Sequence, residues 1–217
     1  MVRPSSAHLL ALTFSKAWHV PAVYAVLLVV VSVVVANPFF PLTVLLLFLA
    51  LTPKLVVPGL VGGSRIPVKA FLVAAGATIA AIVLSTVIAI LGASIFTNED
   101  QLAVLLIAVS IPVNAAIGAI IALAMKPILA SYLRRPVVQP KGWGANTAGW
   151  CALISAILSL LVAILIVTRL QFSLPLAVSD FLGSILGSLS TGFALAFACV
   201  SHAYFERPEW QKQISGS

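Results

Sequence analysis

Long apolar runs are the feature that most constrains how this chain folds. Six stretches of mainly apolar residues, separated by short segments with polar, Pro or Gly residues, cover most of the sequence. A helix that crosses a bilayer needs about 20 mainly apolar residues. Inside lipid the backbone groups must be bonded within the segment, so such runs are expected to be helices. The predicted spans are approximately residues 20–36, 39–57, 70–96, 102–125, 145–168 and 181–204.

The composition excludes a water-soluble fold. Hydrophobic residues make up 62% of the 217 residues and charged residues 8%, too few polar groups to cover a soluble surface of this size. We therefore predict an all-α, polytopic transmembrane helix bundle of about six spans, forming a single integral membrane domain over residues 1–217. The expected location is a cell membrane or an internal membrane.

The second run has the shortest uninterrupted apolar stretch, about 13 residues over 40–52. Pro53 and Lys54 interrupt it, so the segment is either a full span with Lys54 at the interface or a re-entrant segment. The hairpin that precedes it is better defined, because Asn37-Pro38 is a turn signal between two apolar runs.

The distribution of basic residues predicts the orientation. With the N-terminus inside and six crossings, only Arg169 of the 12 Lys and Arg residues falls outside, which leaves 11 on the cytoplasmic side. Positive residues concentrate in cytoplasmic loops, so we predict that both termini are cytoplasmic. The net charge of +7 is then a topology signal, with possible contacts to anionic lipid headgroups at these loops, and does not indicate a nucleic-acid partner.

The positions of tryptophan and cysteine residues agree with the predicted membrane spans and their orientation. Indole rings favour the headgroup layer, so we expect this location for the tryptophans at the predicted cytoplasmic helix ends. These are Trp18, Trp143, Trp150 and Trp210. Cys151 and Cys199 fall inside apolar runs with no metal or disulfide spacing, and are interpreted as small buried residues.

The sixth run carries small residues at helical spacing. Gly183, Gly187 and Thr191 recur every four residues, and a neighbouring stripe contains Ser184, Ser188 and Gly192. Small residues allow close approach of helices in lipid, so this face is expected to pack against another helix. That helix could belong to this chain, to a second copy or to a membrane-protein partner. Within the chain, the third run with its Ala74-Ala75-Gly76-Ala77 segment is the expected neighbour.

Charged catalytic machinery is missing from the predicted spans. None of them carries an acidic residue or His near its middle, whereas proton pumps and ion-coupled carriers usually depend on such residues. The His-Glu-x-x-His and Gly-x-Ser-x-Gly motifs are also missing. We therefore predict no catalytic residue, no metal site and no cofactor, and we do not expect an enzyme.

Neutral polar residues lie near the middle of several predicted spans. Asn114 lies near the centre of the fourth run, with Ser110 one turn earlier and Pro112, expected to kink the helix, between them. Comparable depths on other runs hold Ser85, Thr86, Ser155, Ser159, Ser190 and Thr191. These groups either bond to each other and to backbone, at about 0.6–2 kcal/mol each, or line a midplane cavity.

Two functions follow from these alternatives. A membrane transport component that handles a neutral or weakly polar solute needs a polar cavity between the last four spans. A non-catalytic structural subunit or assembly factor of a larger membrane complex would instead be filled by apolar packing and present a flat outer face. We favour the transport component.

Overall fold

The computed structural model describes most of the backbone. The described residues are 3–34, 40–57, 59–60, 67–95, 99–172 and 176–215. Within these, side chains are not described for 31–34, 40, 99–100, 102–103, 106, 166–172, 176–184 and 212–215. The predicted Asn37-Pro38 turn therefore lies outside the described residues. For Arg169, Gly183 and Ser184 only the backbone is described, so their predicted roles likewise lie outside the described part of the chain.

The described secondary structure is entirely helical, as predicted. The helices are α1 (Ser6–Ala17), α2 (His19–Val34), α3 (Phe40–Val56), α4 (Val68–Ile95), α5 (Glu99–Leu133), α6 (Trp143–Phe172), α7 (Leu176–Ala203) and α8 (Pro208–Ser215), with a short 3-10 turn at Tyr204–Glu206. Helices α2 to α7 coincide with the six apolar runs. Helices α1 and α8 were not predicted, because their apolar residues are few and interrupted by polar ones.

Four helices in the described chain are long and apolar enough to cross a membrane. They are Val68–Ile95, Ile107–Leu133, Trp143–Leu165 and Ile185–Glu206. Helices α1 and α2 meet at a 62° bend and would together make a fifth span. The chain thus has the four to five apolar helices of an integral membrane protein.

Helix α3 is shorter than the four helices that are long enough to cross a membrane. Its 17 residues extend about 25 Å, against about 30 Å for the hydrocarbon core of a bilayer. The helix continues through Pro53, and the Thr52 hydroxyl donates to the Phe48 carbonyl at 2.6 Å. At its end, the carbonyl of Leu55 lies 3.2 Å from Nε2 of His19, the first residue of α2. Helices α2 and α3 therefore form an antiparallel hairpin.

Helix α5 ends later than the sequence predicted. It continues through Lys126 and Pro127 to Leu133, so the connection between the fourth and fifth predicted spans, residues 126–144, is reduced to a loop over 134–142. Arg134 adopts a φ of 55°, a left-handed conformation that commonly follows the last turn of a helix. Gly142, with φ 81°, precedes α6.

Helix α7 is the central helix of the bundle and packs against α1, α2, α3, α5 and α6. Its close contact with α2 occurs at Gly192, where a Cβ atom would lie 2.6 Å from the Cα of Pro21. The expectation that α4 would be the neighbour of this face is wrong, because α4 packs chiefly on α5 at the edge of the bundle. At Gly192 the small-residue face is thus occupied within the chain and is not free for a second copy.

Three basic segments meet at one end of the bundle. Arg3 donates to the carbonyl of Lys141 at 3.2 Å, and Arg135 pairs with Glu206 at 2.6 Å. Glu206 also accepts the backbone N–H of Val138 at 2.8 Å. We call this the basic end: residues 3–8, loop 134–142 and residues 201–211. The N-terminal segment, the α5–α6 loop and the segment after α7 therefore lie together.

Two of the four tryptophans predicted to lie in the headgroup layer, Trp143 and Trp210, are enclosed by protein. Trp143 is 4% exposed and its indole N–H donates to the Ser201 carbonyl at 3.0 Å. Trp210 is also buried, whereas Trp18 is 62% exposed. The reason is that loop 134–142 and α8 fold back over the helix ends. Cys151 and Cys199 are buried and free, as predicted.

Candidate functional site

A cavity of about 340 Å³ opens between five helices of the bundle. It is walled by α2, α3, α4, α5 and α7, whereas the sequence predicted a cavity between the helices now labelled α4 to α7. Its lining residues are Tyr24, Leu28, Val29, Pro41, Leu42, Leu45, Thr78, Ile82, Asn114, Ile117, Gly187, Ser188 and Thr191. Pro41 and Leu42 form the first turn of α3, so the cavity lies beside the α2–α3 connection.

The polar groups of this cavity are all neutral. They are the phenol of Tyr24, the hydroxyls of Thr78, Ser188 and Thr191, and the amide of Asn114. The remaining wall is aliphatic. A mainly apolar cavity with a few converging hydrogen-bonding groups is the usual character of a small-molecule site, and this volume is at the small end of the range.

Asn114 is oriented by its own helix. Its Nδ2 donates to the carbonyl of Ser110 at 3.0 Å, and Pro112 between them lacks the N–H that would bond the preceding turn. Helix α5 is nevertheless continuous across Pro112. The Asn114 Oδ1 accepts no hydrogen bond from the described residues, so it is an acceptor available to a solute.

Gly187 opens the wall that α7 contributes. No atom lies within 4 Å of the position that a Cβ at Gly187 would occupy. One turn later, the Thr191 hydroxyl donates to the Gly187 carbonyl at 3.4 Å. Gly187 and Ser188, predicted as packing residues, therefore border the cavity.

Thr78 of α4 borders the cavity, whereas the predicted polar residues Ser85 and Thr86 of the same helix do not. Ser85 and Thr86 both donate to the carbonyl of Ile82, at 2.7 and 2.9 Å, on a part of α4 with exposed neighbours. Ser110 donates to the Ile107 carbonyl at 2.9 Å. A hydroxyl in a helix can bond the carbonyl three or four residues earlier, so these side chains need no partner on another helix.

The polar residues of α6 lie at a different interface. Ser155 and Ser159 are buried, and Ser159 donates to the Ser155 carbonyl at 2.8 Å. The Ser155 hydroxyl has no hydrogen-bond partner in the described chain and faces Gly118 of α5. Ser190 is buried in α7 and does not border the cavity. The predicted polar residues thus do not form one belt; Asn114 and Thr191 are the two that the cavity brings together.

Apolar packing fills the bundle between the cavity and the basic end. Ile121, Met125, Leu195 and Phe197 are each at most 2% exposed. Beyond them, fully buried His202 lies with Nε2 2.9 Å from the Ala122 carbonyl, while Gln139 Nε2 lies 2.7 Å from Nδ1. Within the described part of the chain, these buried side chains separate the cavity from the basic end.

Sequence reasoning missed Tyr24 and Thr78. Tyr24 is 2% exposed and packs edge-on against Phe48, with ring centroids 5.0 Å apart. Thr78 is 4% exposed. Each is a single hydroxyl in an otherwise aliphatic turn, a signal that could have placed it beside Asn114. The described residues contain no group of three or more His, Cys, Asp or Glu that could hold a metal ion.

Comparisons with protein families, with curated proteins and with solved structures found no match to this chain.

Proposed function

We propose that this protein is a membrane transport component that binds a small, neutral or weakly polar solute in the cavity beside Asn114. The observation that carries the proposal is the convergence of Tyr24, Thr78, Asn114 and Thr191 on one 340 Å³ space inside the bundle. An accessory subunit would have no need for such a space, since interior packing stabilises a bundle and cavities cost stability.

The chemistry of the lining defines the solute class. None of the described residues that border the cavity is Asp, Glu, Lys, Arg or His, so a charged solute would lose its hydration without gaining a counter-charge from them. A neutral solute with one or two hydrogen-bonding groups would bond to the Asn114 amide and to the nearby hydroxyls. Its apolar part would contact Leu28, Leu45 and Ile117. The same lining offers no acid–base pair, which supports a non-enzymatic role.

The proposal includes six crossings with both termini cytoplasmic. The charge asymmetry supports it, as does the meeting of Arg3, loop 134–142 and Glu206 at the basic end. In that orientation the cavity lies beside the external α2–α3 connection and is closed by apolar packing toward the cytoplasm. We infer an outward-open binding state, as alternating access would require before release.

Thermal stabilisation by added solutes tests the proposal. The purified protein in mild detergent would be screened against uncharged alcohols, amides and heteroaromatic compounds that fit the cavity. A compound at 100 times its Kd should stabilise the fold by about 2.7 kcal/mol and raise the Tm. Asn114→Leu should weaken binding about three- to tenfold, because one hydrogen bond is lost, and Gly187→Leu should abolish it by filling the space.

Two matched variants serve as controls. Asn146 is exposed on α6, and Gly149 on α6 has no atom near its Cβ position. Asn146→Leu and Gly149→Leu should therefore keep the wild-type response. The proposal fails if none of the compounds raises the Tm, or if Gly187→Leu responds like Gly149→Leu.

One observation favours the second candidate, a subunit of a larger membrane complex. Helix α4 packs mainly on α5 and leaves a broad apolar face, with Val73 and Ile95 both 71% exposed. Lipid covers such a face equally well, so we rank this function second. Co-purification of a stoichiometric membrane protein that is lost on changing this face, without any solute response, would favour it.

A further inference from the structure

A second apolar space lies on the edge of the bundle, separate from the central cavity. It is a groove of about 460 Å³ between α4 and α5. Its α4 side begins at Pro67 and Lys69 and extends to Ala77, and its α5 side includes Ala124 and Pro127. Among the described residues of its lining, Lys69 is the one that carries a charge.

Small side chains give the groove its depth. Ala70, Ala74 and Ala77 lie on α4 at helical spacing and face Ala124 of α5. Ala74 is 4% exposed and Ala124 is 7% exposed, so they form the floor. The small-residue segment that the sequence suggested as a packing surface for α7 instead leaves room beside α5.

The length of the groove corresponds to one leaflet. From Pro67 to Ala77 is ten residues, which is about 15 Å along a helix. The hydrocarbon core of a bilayer is about 30 Å thick, so one leaflet is about half of that. A single acyl chain entering beside Lys69 would therefore extend along the groove toward the middle of the membrane.

The charge at the mouth specifies the headgroup. Glu206 and Glu209 pair with Arg135 and Arg207, and no ion pair to Lys69 occurs in the described part of the chain. A phosphate at this position would supply the counter-charge. Lipids with a net negative headgroup gain most from a single lysine near the membrane surface.

We propose that the α4–α5 groove binds one anionic phospholipid, with an acyl chain along Ala70, Ala74 and Ala77 and the phosphate at the Lys69 ammonium. A phospholipid brings both an acyl chain for the small-residue groove and an anion for Lys69, whereas an apolar transmembrane helix brings no anion. The site does not depend on the central cavity, so either proposal can fail without the other.

Competition between two lipids tests the site. The protein in mild detergent would receive equal amounts of phosphatidylglycerol and phosphatidylcholine with identical chains, and retained lipid would be counted by native mass spectrometry. Wild type should retain phosphatidylglycerol about fivefold over phosphatidylcholine. Lys69→Gln should remove this preference, and Ala77→Leu should reduce retention of both lipids by filling the groove.

Two controls separate the groove from general effects. Lys16→Gln removes an exposed charge on α1, and Ala80→Leu adds the same bulk at an exposed position of α4. Both should behave as wild type. Because Lys69 is exposed, its substitution leaves the packing intact. An unchanged preference in Lys69→Gln, or equal retention by Ala77→Leu and Ala80→Leu, would overturn the proposal, as would a protein bound in place of lipid.

Discussion

At the residue scale, two glycines set how closely helices approach. A Cβ at Gly118 of α5 would lie 2.5 Å from both the Cys151 carbonyl and the Ser155 hydroxyl of α6. Gly192 brings α7 equally close to α2 at Pro21. Because lipid removes most of the hydrophobic driving force between helices, such close packing is a main source of association.

Gly118→Ala tests the α5–α6 contact. The added methyl meets backbone, which has little freedom to move, so we expect the free energy of unfolding to fall by about 1–3 kcal/mol. The measurement is unfolding of the purified protein in mixed micelles with increasing denaturing detergent. Gly149→Ala on α6 is the control, since its Cβ meets no atom and alanine favours the helix by up to about 1 kcal/mol. Equal stability of the two variants would show that α5 and α6 are not in this contact.

The polar residues show what sequence can and cannot predict at this scale. Depth along a helix follows from counting residues, and Asn114 and Thr191, which the count puts at similar depths, border one cavity. Which neighbour a hydroxyl meets depends on helix tilt and rotation. Thr78 borders the cavity, but Ser85, about two turns further along α4, bonds its own helix at Ile82.

At the element scale, helices with long apolar runs are predictable, because lipid permits no other backbone structure for them. Shorter amphipathic elements are not. Helix α1 buries Leu9, Leu12 and Thr13 against the bundle, but its apolar run of six residues resembles that of many loops. The end of α5 was also missed, because Lys126 and Pro127 resemble a helix end and tertiary packing of Ile128 and Leu129 extends the helix.

Loop 134–142 is held in place chiefly through Glu206. The Glu206 side chain is 5% exposed and accepts bonds from the Val138 N–H and from Arg135, whose own side chain is 59% exposed. An exposed ion pair contributes at most about 1 kcal/mol, and a hydrogen bond to a charged group about 1.5–3 kcal/mol. Val138 is 49% exposed, so the two bonds together, rather than either one alone, hold the loop.

Glu206→Ala should loosen this loop. We expect hydrogen exchange of the Val138 amide to accelerate about tenfold or more, since about 1.4 kcal/mol corresponds to a factor of ten. Glu209→Ala removes an exposed carboxylate of the neighbouring segment and should leave that rate unchanged. If the Val138 amide exchanges equally fast in wild type and in Glu206→Ala, Glu206 does not anchor the loop.

At the scale of the whole molecule, the sequence predicts that lipid surrounds the helices and which chain segments share one end of the bundle. It does not predict which helices pack against each other. Apolar composition and charge placement gave an all-helical membrane bundle with its basic segments together. They did not predict that α2, rather than α4, packs on the small face of α7, since a small-residue face shows that a helix packs closely without specifying its partner. For the same reason the cavity borders α2 and α3, outside the four spans expected.

The number of membrane crossings determines how the cavity lies relative to the two sides of the membrane. With α2 and α3 both spanning, the chain crosses six times and the cavity lies near the outer surface. If the α2–α3 hairpin only entered the membrane and returned, the chain would cross four times and both termini would still share one side. Labelling of the termini alone therefore does not separate these arrangements.

Cysteine labelling in intact cells tests directly whether the chain crosses the membrane six times. In a background with Cys151→Ala and Cys199→Ala, single cysteines at Asn37, Asn98 and Gln211 would be exposed to a membrane-impermeant maleimide. We predict that Asn37→Cys and Asn98→Cys react from outside, and that Gln211→Cys reacts only after permeabilisation. An Asn37→Cys variant that stays unlabelled from outside while Asn98→Cys reacts would contradict six crossings.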